Sequence, residues 1–232
     1  MILSGLPEKE LNISDAALIK IKCAYAAYRD YNNVAQFYHG EADGSVFAVI
    51  GKIGGYVSLW TDGRNKEELK SFLKFIGYNG IFTSLKTAQS LNLKINEECL
   101  VFKALPPFEK AETSQSASVR ELLAVLRQGL TIPDADEFVA DVTFRVLHGC
   151  ADYVTEDGGG AVLFYDQSGA LINGIAVPQN NRGKGQGSRI MKLLLSRAEN
   201  REVYACCIEE NKHFYIKNGF SLIGEAAYCE EE

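Results

Sequence analysis

The sequence predicts an α/β fold on three observations. Short β-rich runs are set apart by glycine-containing turns, amphipathic helical segments lie between them, and one order of these elements occurs twice along the chain. With 232 residues there is enough chain for one large domain or two modest ones, each with a core of its own.

In the first half, Ser14 and Asp15 form a cap signal, and apolar residues then recur at helical spacing, which predicts a helix over 15–30. The runs VAQFYHG, SVFAVIG and YVSLWTD follow as three strands. Asn65 with Glu68 reads as a capping box ahead of Leu69, Phe72, Leu73 and Ile76, spaced i, i+3, i+4, i+7, so an amphipathic helix is expected there. GIFTS, LKTAQSL and CLVFKAL complete the half as strand, helix, strand. Residues 105–118, LPPFEKAETSQSAS, hold Pro106 and Pro107 and then polar residues without periodicity, which reads as a linker. The expected division is therefore 1–110 and 111–232.

The second half opens on two helical stretches, VRELLAVLRQG and DEFVADVTFRVLHGCADY. After Gly158, Gly159 and Gly160 come AVLFYD and ALINGIAV, joined by a turn at 167–169 as a strand hairpin. A glycine-rich loop leads into SRIMKLLLSRAEN, whose Ile190, Leu194 and Ala198 stack at four-residue spacing. EVYACCIE is a strand, NKHFYIKNG a short helix ended by Gly219, and FSLIGEAAYCE the last strand. Each half thus runs strand, turn, strand, loop, helix, strand, short helix, strand, which suggests two copies of one architecture despite low residue identity.

Composition narrows the function classes. The formal net charge of −6 provides no global field for nucleic acid, so any anion site must be local. No apolar run approaches the ~20 residues that span a bilayer, and MILSGLPEKE lacks the order of a secretory signal, so the expected place is the cytoplasm. Cys23, Cys99, Cys150, Cys206, Cys207 and Cys229 form no CxxC pair and share no metal-ligand spacing with the three histidines, which leaves zinc and a disulfide framework unsupported. The adjacent Cys206 and Cys207 read as small buried strand residues rather than nucleophiles.

The local anion site is VPQNNRGKGQGSRIM. Gly183, Gly185 and Gly187 at alternate positions let the backbone turn and bring its N–H groups close to a ligand. A helix starting near Ser188 adds the positive end of its dipole, and Arg182 and Lys184 add full charges. Together these features make a pyrophosphate site. The Walker pattern is excluded because Lys184 precedes the last two glycines, and the dinucleotide pattern because the spacing is GxGxG rather than GxGxxG.

Arg182-Gly183-Lys184-Gly185-Gln186-Gly187 resembles the [Gln/Arg]-x-x-Gly-x-[Gly/Ala] motif of the GCN5-related N-acetyltransferases (GNAT), and it follows a strand that leads into Pro178, as theirs often does. About thirty residues on, NKHFYIKNGF is similar to that family's second signature: an Asn, an aromatic-Tyr pair, then Gly-Phe. The resemblance covers about 113–232. Over 1–104 it extends only to element order, since TDGRNKEE stands where the glycine loop would, with one glycine and no basic triplet.

The resemblance implies the GNAT fold, a mixed and mostly antiparallel sheet flanked by helices, here as two GNAT-like domains of which the first is degenerate. It implies acetyl-CoA as cosubstrate, no metal, and direct transfer of acetyl to a primary amine. The pyrophosphate would sit on the amides of Arg182, Gly183, Lys184, Gly185, Gln186, Gly187 and Ser188. The pantetheine arm would pair with Ile175, Ala176 and Val177. Tyr215 is where the family keeps the acid that protonates the departing thiolate. Moving a proton from a phenol near ~10 to a thiolate near ~8.5 is uphill by roughly 2 kcal/mol, small against a typical barrier. Tyr215 read alone fits better an aromatic packed on the core, like Phe214 beside it, and the glycine loop turns the reading to catalysis. Asn211 reads as a cofactor contact or a helix cap, Glu209, Glu210 and His213 as alternatives for the base, and Glu230 to Glu232 as a solvated tail. The acceptor expected is a small-molecule or peptide amine, cationic by charge balance, in a monomer or homodimer without nucleic-acid or membrane partners, the first half forming one wall of the acceptor cleft. A protein that binds acyl-CoA for regulation without turnover is the competing class.

Overall fold

A computed structural model describes residues 1–7, 11, 14–111, 117–132 and 134–230. The centre of the expected linker, 112–116, and the last two glutamates of the expected tail lie outside the described residues. The chain forms two compact units, one of residues 1–101, 206–210 and 223–232, the other of residues 102–205 and 211–222.

The first unit opens on β1 (Ile2–Ser4) and α1 (Ala16–Tyr28), then β2 (Ala35–Ala42), β3 (Ser45–Ile53), β4 (Tyr56–Thr61), α2 (Lys66–Ile76), β5 (Gly80–Ser84), α3 (Leu85–Leu91) and β6 (Lys94–Ala104), the last up to residue 101. Asp15 fixes the start of α1, its Oδ1 accepting from the N–H groups of Ala17 and Leu18 at 2.8 and 3.0 Å. Strands β2, β3 and β4 form an antiparallel meander, and β4 pairs with β5 in parallel. Phe47, Ile50 and Leu59 from the sheet meet Leu69 and Leu73 of α2 in the core. Asn65 does not form the expected box. It takes φ 51°, its side chain caps no backbone N–H, and its amide reaches only the Glu68 carboxylate at 3.4 Å. That left-handed backbone differs from the extended one in which a cap side chain accepts from the helix start.

The strand next to β5 in this unit comes from the far end of the chain. β11 (Ser221–Glu230) runs antiparallel to β5, Tyr228 opposite Phe82 and Ala227 opposite Thr83, and Ala227 and Cys229 enter the same core. The grouping of residues therefore differs from a single cut at 110. Strand pairing carries 223–232 into the first unit.

The second unit holds α4 (Val119–Leu126), α5 (Ala135–Leu147), β7 (Ala151–Glu156), β8 (Gly159–Tyr165), β9 (Gly169–Ala176), α6 (Gln186–Arg197), β10 (Glu202–Cys207) up to residue 205, and α7 (Lys212–Lys217). A capping box absent from the expectations above starts α4: Ser118 Oγ accepts from Glu121 N–H, and the Glu121 carboxylate accepts from Ser118 N–H. The expected long helix through Tyr153 is corrected. It stops at Leu147, Gly149 takes φ 65°, and Ala151 begins β7, antiparallel to β8. Strands β8 and β9 are antiparallel, and β9 and β10 parallel. Buried Leu122, Leu126, Leu163, Ile190 and Leu194 lock α4 and α6 onto this sheet. The order β7-β8-β9-α6-β10-α7-β11 repeats β2-β3-β4-α2-β5-α3-β6. Among the described residues no helix is long and apolar enough to cross a membrane.

Candidate active site

Strand β9 has two different edges. Toward β8 it is paired through Ala176, whereas toward β10 the parallel pairing runs only from Gly169 to Ile172. Between those limits the β8 register slips: Val162 faces Gly174 and Leu163 faces Ile172, so Asn173 is an extra residue. A bulge of this kind bends its strand. The expected pantetheine residues Ile175 and Ala176 therefore lie beyond the parallel ladder, with Val177 following them out of the strand.

From there the chain makes one turn of 3₁₀ helix over Gln179–Asn181 and enters the glycine loop. Gly183 and Gly185 have φ of 76° and 84°, and a Cβ on either would meet nothing within 4 Å. The loop needs glycine there for its backbone conformation, and the space above both is open. Gly185 is the N-cap of α6, and the first bond from the helix start runs from Arg189 N–H to Gly185 C=O at 3.1 Å. The amides of Gln186, Gly187 and Ser188 thus precede every acceptor within the helix. No acidic residue occupies the first turn.

Gly187 has a different task. A Cβ there would stand 3.0 Å from the ring of Phe214 and 3.6 Å from Val177, so its absence lets α7 pack on the first turn of α6. This contact brings the two sequence motifs together. Overpacking it with Gly187→Val should lower stability by about 1–3 kcal/mol. A thermal melt of the ligand-free protein checks this, and an unchanged Tm would mean that Phe214 yields freely.

Two expected ligand side chains are partly engaged by the protein. Arg182 Nε donates to Val177 C=O at 3.1 Å, bracing the loop across its own base. Gln186 Nε2 donates to the carbonyls of Glu156 and Asp157 at 2.8 and 2.7 Å, and Arg189 pairs with the Glu156 carboxylate at 2.6 Å. These bonds clip the β7–β8 turn to the start of α6, and the side chain of Lys184 is exposed. Gly129 escaped the reading of the sequence. A Cβ on it would come 3.2 Å from Ala176 and 3.4 Å from the Arg182 guanidinium, so this glycine at the exit of α4 lets both approach. A lone glycine after a helix reads only as a stop signal.

Tyr215 is 4% exposed. Its ring stacks on Phe102 at 5.4 Å and takes Phe214 and Phe220 edge-on at 5.3 and 5.5 Å. Three aromatic neighbours fix the ring's orientation. Asn211, the expected cap of α7, makes no side-chain cap bond and is exposed, as are His213, Glu209 and Glu210.

The corresponding place in the first unit is built differently. Beyond Leu59, where β4 leaves β5, the loop bonds to itself: Asp62 accepts from Arg64 N–H at 3.0 Å and pairs with its guanidinium, while Thr61 Oγ1 accepts from Gly63 N–H at 3.1 Å. Glu67 and Glu68 fill the first turn of α2. A carboxylate at a helix start is worth about 0.3–1 kcal/mol to its own protein and repels an incoming anion. In the second unit the first turn of α6 carries no acidic residue.

Residues 134–222 match the model of the acetyltransferase (GNAT) domain, a span that runs from the start of α5 through the glycine loop and α7. This segment is similar to a GNAT domain. Its fold relatives confirm the architecture. A GNAT-family acetyltransferase from Colwellia psychrerythraea is similar over 100% of both chains, with 13% identity and a TM-score of 0.54. A GCN5-related N-acetyltransferase from Sphaerobacter thermophilus covers 93% of this chain and 91% of its own, with 12% identity and a TM-score of 0.58. A tandem GNAT protein from the clavulanic acid biosynthesis pathway covers 84% and 82%, at 13% identity and a TM-score of 0.50. At such identities the likeness establishes fold alone. No curated protein matches the chain by sequence. Among the described residues no cluster of His, Cys, Asp and Glu is suited to a metal ion.

Proposed function

We propose that the protein transfers an acetyl group from acetyl-CoA directly to a primary amine, with the GNAT domain as its catalytic unit and the first unit as a degenerate copy of the same architecture. The observation that carries this reading is the pairing of a free β9 edge with helix-start amides that no carboxylate of the first turn occupies. An extended thioester arm with an anion at its end needs both at once: strand-like hydrogen bonding over 175–177 and a fixed set of donors over 182–188. Bound acetyl-CoA supplies the activated acyl carbon. The protein holds the anionic end, aligns the arm along β9, and keeps Tyr215 as the proton source for the sulfur that leaves.

Holding the two reactants in one cleft supplies much of the rate in such transfers. The acidic balance of the chain favours a cationic amine as acceptor, small or peptidic. Release of CoA thiol, followed with a chromogenic disulfide across a panel of primary amines, tests the activity. Amine-dependent release is expected, and hydrolysis alone with every amine would count against transfer.

One chain should bind one acetyl-CoA, because the loop of the first unit spends its donors on Thr61 and Asp62 and carries Glu67 and Glu68 at its helix start. Isothermal titration is expected to give a stoichiometry of about one. Two equivalents per chain would restore a cradle to the first unit.

A further inference from the structure

The cysteines take no part in the chemistry above, yet two of them meet inside the first unit. Cys99 on β6 is buried with Phe82, Val101 and Ala226, and Cys206 on β10 packs against that cluster. The two thiols are in hydrogen-bonding contact, and the S–H of Cys206 donating to Cys99 makes Cys99 the readier of the two to ionise. That hydrogen bond and burial push the Cys206 thiol well up, while Lys20, over the rings of Phe82 and Tyr228 at 4.8 and 5.6 Å, favours a thiolate at either sulfur and Glu97 opposes one at Cys99. Cys206 is only partly buried, whereas the other five cysteines are buried. The pair lies nearest to solvent at Cys206.

We infer that Cys99 and Cys206 are a reversible redox site that closes to a disulfide when the protein meets a hydroperoxide. The Cys99 sulfur loses its proton and attacks one peroxide oxygen. The O–O bond breaks, the alcohol leaves with that proton, and Cys99 carries an S–OH group. The Cys206 sulfur then attacks the sulfur of Cys99, the S–O bond breaks, and hydroxide leaves as water with the proton of Cys206. Two thiols and one hydroperoxide become one disulfide, one alcohol and one water, the two electrons passing from sulfur to the O–O bond. Cys207 is the competing partner by sequence, but successive side chains of an extended strand point to opposite faces, so its sulfur is directed away from that of Cys206.

The test uses the full chain and hydrogen peroxide. After oxidation and alkylation, trypsin without reductant leaves Cys99 in residues 95–103 and Cys206 with Cys207 in residues 202–212, while Cys23, Cys150 and Cys229 fall in other peptides. The expected product joins 95–103 to 202–212, weighs two hydrogens less than their sum and separates with dithiothreitol. It should persist in Cys207→Ser and vanish in Cys206→Ser. Three outcomes would overturn the site: Cys99 or Cys206 ending as a sulfinic acid in the wild type, an internal disulfide within 202–212, or loss of the joined peptide in Cys207→Ser.

Discussion

Gly185→Val is expected to abolish stabilisation by acetyl-CoA while the ligand-free protein stays folded. In the wild type, ligand at a hundredfold excess over Kd contributes about 2.7 kcal/mol to stability, which a melting curve reads as a clear rise in Tm. Gly185 sits at φ 84° with open space over its missing Cβ, on the side where an anion would approach the helix-start amides. Valine closes that space and also strains the backbone by about 1–2 kcal/mol, lowering the ligand-free Tm. Gly63→Val separates the two effects. Gly63 has φ 95° and an equally open surround, but it lies in the loop of the first unit. Both variants should melt earlier than wild type without ligand, and only Gly185→Val should lose the acetyl-CoA shift. A shift retained in Gly185→Val, or lost in both, would take the glycine loop out of the binding site.

Tyr215→Phe should lower kcat by about 10²-fold while the affinity for acetyl-CoA holds. The stacking of the ring on Phe102 and its edge contacts with Phe214 and Phe220 are preserved by phenylalanine, so the substitution removes a hydroxyl and little else. The variant should therefore bind the cosubstrate with an unchanged titration curve and retain near-native secondary structure. Turnover at the wild-type rate, measured with the best amine of the panel, would leave Tyr215 as a ring of the core and move the proton source elsewhere.

Much of this protein was legible because the signals are local. An apolar period, an Asp cap at residue 15 and a glycine loop between strand and helix each act within a few residues, so the alternation of elements and both motifs could be read in order. The misread elements show the same principle from the other side. The apolar period of α5 continues past Leu147, but Gly149 turns the chain and β7 finds β8, a competition that periodicity cannot weigh. Asn65 has the right neighbour three residues on and fails as a cap because its backbone is left-handed.

By itself, then, the sequence determined the α/β alternation, the repeated order and the place of the glycine loop, all fixed by the conformational preferences of short segments. Only the tertiary structure decided which strand lies beside β5, where β9 leaves β10, that Gly187 serves Phe214, and that Phe102 stacks on Tyr215. Those are pairings between residues far apart in the chain. Their free energy arises from burying specific surfaces and completing specific ladders, and no stretch of either partner encodes it alone.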